Sequence, residues 1–257
     1  MDRKAVAVYT LLLCIIISML SSCKSSDKYV DSNSTEPDTE IQDLIAENAK
    51  FYEFKEEKYT DTENVNSCVT ISYPQIDDQE YTQINNLIKN FAENISENIY
   101  GNEYENVTLD LSYEVTYSDG KYISIVFSGQ GNVSTAAYPN RLLTAVNIDV
   151  VNSEILSFYD IYNQDDELLK TVRDNFNEQF VPMKLEELQI KNSDESFNEI
   201  KQQLSAIGIN NIDELLTDNT KFYFTENSVC FCVDIPHAVG DYFVVTVEYS
   251  EIERFLR

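Results

Sequence analysis

The chain has 257 residues, with 45 Asp and Glu against 18 Lys and Arg, for a formal net charge of −27. Hydrophobic residues at 43% and aromatic residues at 12% support a packed core and exclude wholesale disorder. So acidic a chain lacks the Lys and Arg clusters that nucleic acid or an anionic membrane face recruits, and one His, no Trp and 6 Gly leave little material for a metal centre or a phosphate-cradling loop.

Residues 1–22 read as a leader. Arg3 and Lys4 open it, Leu11 to Leu20 is almost wholly apolar, and Leu20-Ser21-Ser22-Cys23 places small residues before a cysteine. The apolar run is too short to span a bilayer. Its layout is that of a bacterial lipoprotein signal, which makes Cys23 the lipid-attachment site and the new N-terminus. The expected location is therefore extracytoplasmic, anchored to the membrane by lipid. Cleavage removes Asp2, Arg3 and Lys4 and leaves a mature charge of −28. Residues 23–49 form an acidic tether too poor in apolar side chains to order itself, carrying −5 and leaving −23 on the folded part.

Two strands are expected next, Phe51–Phe54 and Val69–Tyr73, the second stopped by Pro74. Residues 79–100 place Ile84, Leu87, Ile88, Phe91, Ile95 and Ile99 on one helical face, ended by Gly101. Val107 to Tyr117 alternates as a half-buried strand, and Asp119-Gly120 turns it into Tyr122–Phe127. A loop from Gly129 to Asn140 leads to a strand at Leu142–Val150, and Asn152-Ser153 returns the chain to Ile155-Leu156. The second half predicts a helix over Asp165–Phe180 stopped near Pro182, and another over Ser193–Ile207 ended by Gly208. A short turn follows at Asp213–Leu216, then a hairpin of Lys221–Thr225 and Val229–Ile235, a strand at Tyr242–Tyr249 and a final turn capped by Ser250. Elements in runs rather than strict alternation predict an α+β fold, a mainly antiparallel sheet with two or three packed helices.

Cys14 leaves with the leader and Cys23 carries lipid, so Cys68, Cys230 and Cys232 remain. Cys230 and Cys232 face the same way on one strand, roughly 6.5–7 Å apart, which is awkward for a bond between them. Buried free thiols are expected, with a Cys68 bridge as the alternative.

Three segments resemble a known family: SCVTISYPQI with the helix near Ile84-Asn85, YISIVFSGQGNVSTAAYPNRLLTAVNIDVVNSEILSFYDIY, and NSVCFCVDIPHAVGDYFVVTVEYSEIERFL. They are similar to paired extracellular domains of unknown function found in the ectodomain of the anti-sigma-V factor, a lysozyme receptor. The first of these domains also precedes the catalytic domain of some peptidoglycan deacetylases. The resemblance covers most of residues 55–257 and implies a first family domain at 50–157 and a second at 158–257, two intimately packed subdomains, with a lysozyme-like muramidase as partner; a peptidoglycan- or carbohydrate-binding module, stacking sugars on Tyr in the absence of Trp, is the alternative. This chain departs from the family in Ser134-Thr135-Ala136-Ala137-Tyr138-Pro139, where Tyr138 stands at a position commonly His. It also carries neither a deacetylase domain nor a sigma-binding segment with a spanning helix.

Catalysis finds little support in the residues. His237 steered by Asp241 could act as a general base, but no Gly-x-Ser-x-Gly frame supplies a nucleophile, and a turn role with the imidazole bonded to backbone near Gly240 is the simpler expectation. Cys230-x-Cys232 with His237 lacks the usual zinc spacing, and Asp160, Asp165, Asp166 and Glu167 lack the calcium-loop frame. A carboxylate pair for glycoside hydrolysis needs a separation that sequence does not display. The residues point to binding without catalysis or cofactor, on a surface made by the Gly129–Arg141 segment and the Pro236–Tyr242 turn. Its candidate contacts are Asn132, Tyr138, Asn140, His237, Asp241 and Tyr242.

Overall fold

The structure is a computed structural model that describes residues 52–61, 67–101, 106–192, 194, 196–212, 217 and 219–257, without the side chains of 207–212. The leader, Cys23, the tether, Phe51, Ser193 and the turn at Asp213–Leu216 lie outside the described residues. Among the described residues, nine strands and five helices follow in chain order: β1 (Phe54–Thr60), β2 (Cys68–Ile76), α1 (Thr82–Tyr100), β3 (Val107–Ser118), β4 (Tyr122–Val133), β5 (Asn140–Asp149), β6 (Glu154–Ile155), α2 (Phe158–Ile161), α3 (Asp166–Glu187), α4 (Phe197–Ile212), β7 (Phe222–Phe224), β8 (Ser228–Asp234), β9 (Tyr242–Glu248) and α5 (Tyr249–Ile252). The fold is α+β and mostly antiparallel, as the grouping of elements predicts.

Strands β1 to β6 form one sheet in sequential order, antiparallel except for β2 beside β3, whose connection is the α1 crossover. Strands β7, β8 and β9 form a second, antiparallel sheet. Side-chain alternation decides what lies between the layers. Ile123, Ile125 and Phe127 of β4 point to α1 and join Ile84, Ile88 and Ile95 in one core. Their neighbour Ser124 points the other way, to β7. On β8, Val229, Phe231 and Val233 meet Val172, Phe176 and Phe180 of α3 in a second core. Helix α1, the large sheet, the small sheet and the α3–α4 pair therefore stack in that order. No helix among the described residues is long and apolar enough to cross a membrane.

A short sheet between two layers has backbone edges to satisfy, and side-chain amides do this. Gln179 on α3 donates from Nε2 to the Thr246 carbonyl at 2.7 Å and accepts from the Thr246 N–H at 3.0 Å, so one amide closes the free edge of β9. Asn85 on α1 makes the same reciprocal pair with Ile76 of β2, at 2.9 and 2.7 Å. Gln179→Ala is expected to cost about 1–2 kcal/mol in a urea melt, because two backbone groups lose partners at once. Gln179→Glu, which keeps the acceptor and removes the donor, falls between Ala and wild type.

Five sequence expectations are corrected and one short helix is added. Strand β2 runs through Pro74 to Ile76. The Ile76 N–H turns away from β1 toward Asn85, and Pro74, two residues earlier, faces the same way, so no ladder bond is lost there. The first strand begins at Phe54 rather than ending there. Helix α3 passes through Pro182 to Glu187, because Phe176, Phe180 and Val181 before it and Leu185 after it are all buried and hold both sides of the break. Helix α4 likewise passes Gly208, whose intrinsic cost of about 1 kcal/mol is small. The terminal turn starts at Tyr249 with Glu248 as its N-cap, not Ser250, and the short α2, capped by a Ser157–Asp160 box, was not apparent from sequence periodicity.

Among the described residues, Cys68, Cys230 and Cys232 are free thiols. Cys230 and Cys232 are buried as expected, but Cys68 is exposed, since Val69 and Ile71 take the core face of β2. Burial pushes the Cys232 thiol up to about 12. Burial, aided by a hydrogen bond to Asp119, likewise raises Tyr117 to about 12, and burial lifts Tyr162, Tyr223 and Tyr249 well above the ordinary phenol value of 10.0. The unfolded chain thus releases these protons earlier than the folded one. Stability is expected to hold below pH 9.0, the ordinary value of the Cys232 thiol, and to fall as pH climbs toward 12, more steeply above 10.0 where the tyrosines join, read by thermal melts alongside tyrosinate absorbance.

Candidate functional site

Half of the expected loop from Gly129 to Asn140 is strand. Strand β4 continues to Val133, and Gly131 pairs with Asn140, leaving residues 134–139 as the tip of a long hairpin. The glycines serve strand packing. A Cβ on Gly129 would stand 2.0 Å from the Asp110 carbonyl oxygen, and one on Gly131 would stand 2.0 Å from the Tyr100 hydroxyl.

Beside the start of β5 lies the turn between β8 and β9. Its ladder closes at Asp234 and Tyr242, Pro236 enters a 3-10 turn at His237–Val239, and Gly240 (φ 130°) and Asp241 (φ 72°) bring the chain back. Asp tolerates this left-handed backbone better than most residues. Its side chain is largely buried and joins the two segments. One carboxylate oxygen accepts from the Arg141 backbone N–H at 2.9 Å, and the other lies 2.6 Å from His237 Nδ1. The Arg141 guanidinium then stacks 4.9 Å from the Tyr242 ring centre and donates to its hydroxyl at 3.3 Å. The imidazole therefore bonds the Asp241 carboxylate, not backbone near Gly240; the bond expected there runs from the Gly240 N–H to the His237 carbonyl.

His237, Asp241 and Tyr242 thus come together, with the hairpin secured to them. Tyr138 stands at the hairpin tip, 72% exposed, and Asn140 opens β5 with its side chain exposed. Among the described residues, no hydrogen bond ties Asn132, Tyr138 or Asn140 to the latch. Asn132 sits inside β4 opposite Thr108, half-buried, with its Oδ1 buried and unpartnered among the described residues. Sequence reasoning took Arg141 only as the boundary of a loop, whereas it supplies both the backbone donor and the stacked cation. The available signal was its isolation, as the only Lys or Arg between Lys121 and Lys170.

The metal readings have no matching geometry. Cys230 and Cys232 turn inward to Thr246 and the Leu143 carbonyl, away from the exposed His237 turn. Asp160 accepts from the backbone N–H and hydroxyl of Ser157, and Asp165 caps α3 through the Glu167 N–H. Among the described residues, no three His, Cys, Asp or Glu side chains converge as a metal site.

No family model matches the chain, and no curated protein matches it significantly. Among solved structures it is similar to a DUF3298 family protein from Bacteroides fragilis, with a TM-score of 0.44 and 12% identity over 82% of this chain and 95% of that one. It is also similar to a DUF3298 family protein from Pseudomonas aeruginosa, with a TM-score of 0.45 and 11% identity over 80% of this chain and 93% of the other.

Proposed function

We propose that the chain is an extracytoplasmic, lipid-anchored module that binds a cationic cell-wall enzyme of the lysozyme class and performs no catalysis. The observation that carries this reading is the Asp241 latch: it fixes the hairpin against the β8–β9 turn while Tyr138 projects from the tip, 72% exposed. An aromatic side chain on a rigid support is a contact anchor that loses little entropy on binding. The −23 of the folded part adds long-range steering of a basic partner, which ionic strength weakens. Cys23 supplies the anchor, and the acidic tether holds the module clear of the lipid surface.

The test is immobilised mature chain against a cationic lysozyme across a salt series. Retention is expected at low salt, falling as salt rises, and Tyr138→Ala is expected to weaken it at least about tenfold while moving stability by no more than about 0.5 kcal/mol. No retention even at low salt overturns the reading. Salt-insensitive retention on purified peptidoglycan would replace the protein partner with cell-wall glycan, on which an exposed tyrosine can stack. Cys23→Ala is expected to release the protein from membranes.

A further inference from the structure

The opposite end of the same hairpin holds a cleft of about 740 Å³. Tyr122 pairs with Asp149 there, nine residues along β4 from the Gly131–Asn140 pair, roughly 30 Å from the latch. Its walls are aromatic: Tyr117 and Tyr122 from the β3–β4 turn, Phe224 from β7 and Tyr249 from α5. Tyr162, only 1% exposed, also lines it, and its hydroxyl makes no hydrogen bond with a described residue.

Charge in the cleft is one-sided. Asp149, Glu154, Asp160 and Glu253 line it against one lining cation, Arg257, while the Lys121 ammonium sits 4.5 Å from the centre of the Tyr122 ring and leaves the faces of Tyr117, Phe224 and Tyr249 to a ligand. Two of these acids have structural partners: Asp149 accepts from the backbone N–H and side-chain amide of Asn152, and Asp160 accepts from Ser157. No hydrogen bond or ion pair among the described residues holds the carboxylates of Glu154 and Glu253. The rim is apolar, with Ile155 and Leu256 both left exposed.

Aromatic walls, free carboxylates and an apolar rim in one cavity fit a single ligand chemistry. Ring faces and carboxylates attract a cation, and exposed aliphatic side chains favour a hydrocarbon stem. We infer that this cleft binds a small organic cation, an alkylammonium group on an aliphatic chain. This site is separate from the Tyr138 surface and does not depend on the function proposed for it.

The probe is n-hexylammonium, with hexanol and hexanoate as neutral and anionic counterparts, titrated into the folded chain and followed by amide chemical shifts. Hexylammonium is expected to bind with shifts centred on Tyr122, Phe224 and Tyr249, and the two counterparts are expected not to. Glu154→Gln combined with Glu253→Gln, both at exposed positions, is expected to weaken binding about tenfold at an unchanged melting temperature. Tyr138→Ala is expected to leave it unchanged, so failure here and failure of the lysozyme experiment are distinguishable. The inference is overturned if hexanol binds as tightly as hexylammonium, if the shifts centre elsewhere, or if the double variant binds normally. Binding of a lysine-rich peptide without binding of the free amine also overturns it.

Discussion

Gly129→Ala is expected to destabilise the protein by about 3 kcal/mol, although it adds a single methyl group. The methyl would stand 2.0 Å from the Asp110 carbonyl oxygen and 3.1 Å from the Leu111 Cα, so the obstruction is the backbone of β3 and not a side chain that could rotate away. Strand β4 is paired on both sides, to β3 through Leu111 and to β5 through Leu142, and cannot move without breaking one ladder. Gly131→Ala provides the contrast. Its new methyl meets the Tyr100 hydroxyl and Leu142 Cδ1, which belong to side chains, and Tyr100→Phe in the same chain is expected to recover part of the loss. Urea denaturation of the four proteins separates the cases. A loss under about 1 kcal/mol for Gly129→Ala would show that the sheet relaxes where its double pairing says it should not.

Asn147→Ala is expected to cost about 3 kcal/mol for a different reason, the stranding of polar groups between two sheets. Asn147 is 3% exposed. Its Nδ2 donates to the Phe222 carbonyl at 2.8 Å, its Oδ1 accepts from the Ser124 hydroxyl, and Ser124 Oγ in turn accepts from the Phe224 N–H at 3.0 Å. Two side chains of the large sheet thereby complete the outer edge of β7. Truncation leaves a buried carbonyl and a buried hydroxyl without their partner. Asn147→Asp should be worse near neutral pH, because it sets a carboxylate against the Phe222 carbonyl in a dry environment. Burial would raise that new carboxyl, so part of its deficit should be recovered on acidification, when the proton restores a donor. Thermal melts of both variants across the acidic range check this; a deficit for Asn147→Asp that does not change with pH would refute the account.

Strand alternation was legible wherever one face meets a core. Val107, Leu109 and Leu111 point inward along β3 as their spacing requires, and the α1 stripe through Ile84, Ile88 and Ile95 packs where periodicity places it. Misreadings gathered at Pro74, Gly129, Pro182 and Gly208. These residues interrupt regular structure when only local energetics are counted; Gly208 is passed because its cost is small, and the other three were overridden by a surrounding that sequence does not display. Pro74 directs its missing N–H away from β1, Gly129 has a carbonyl where a side chain would be, and Pro182 lies between buried flanks. The candidate site was legible in its parts. The hairpin segment and the Pro236–Tyr242 turn stood out through Gly, Pro, Asp and Tyr, but the bond between them spans a hundred residues of chain.

The sequence alone determined the α+β class, the large acidic excess and the expectation of a lipidated cysteine, because composition and periodicity are summed along the chain and need no partner. Only the tertiary structure decided that Asp241 holds Arg141, that Asn147 closes an edge of another sheet, and that tyrosines from β3, β4 and α5 line one cleft with acids from β5 and β6. Hydrogen bonds and ring contacts act over a few ångströms, so which residues share them is set by how the layers stack, and that order is not written in the spacing of residues along any one element.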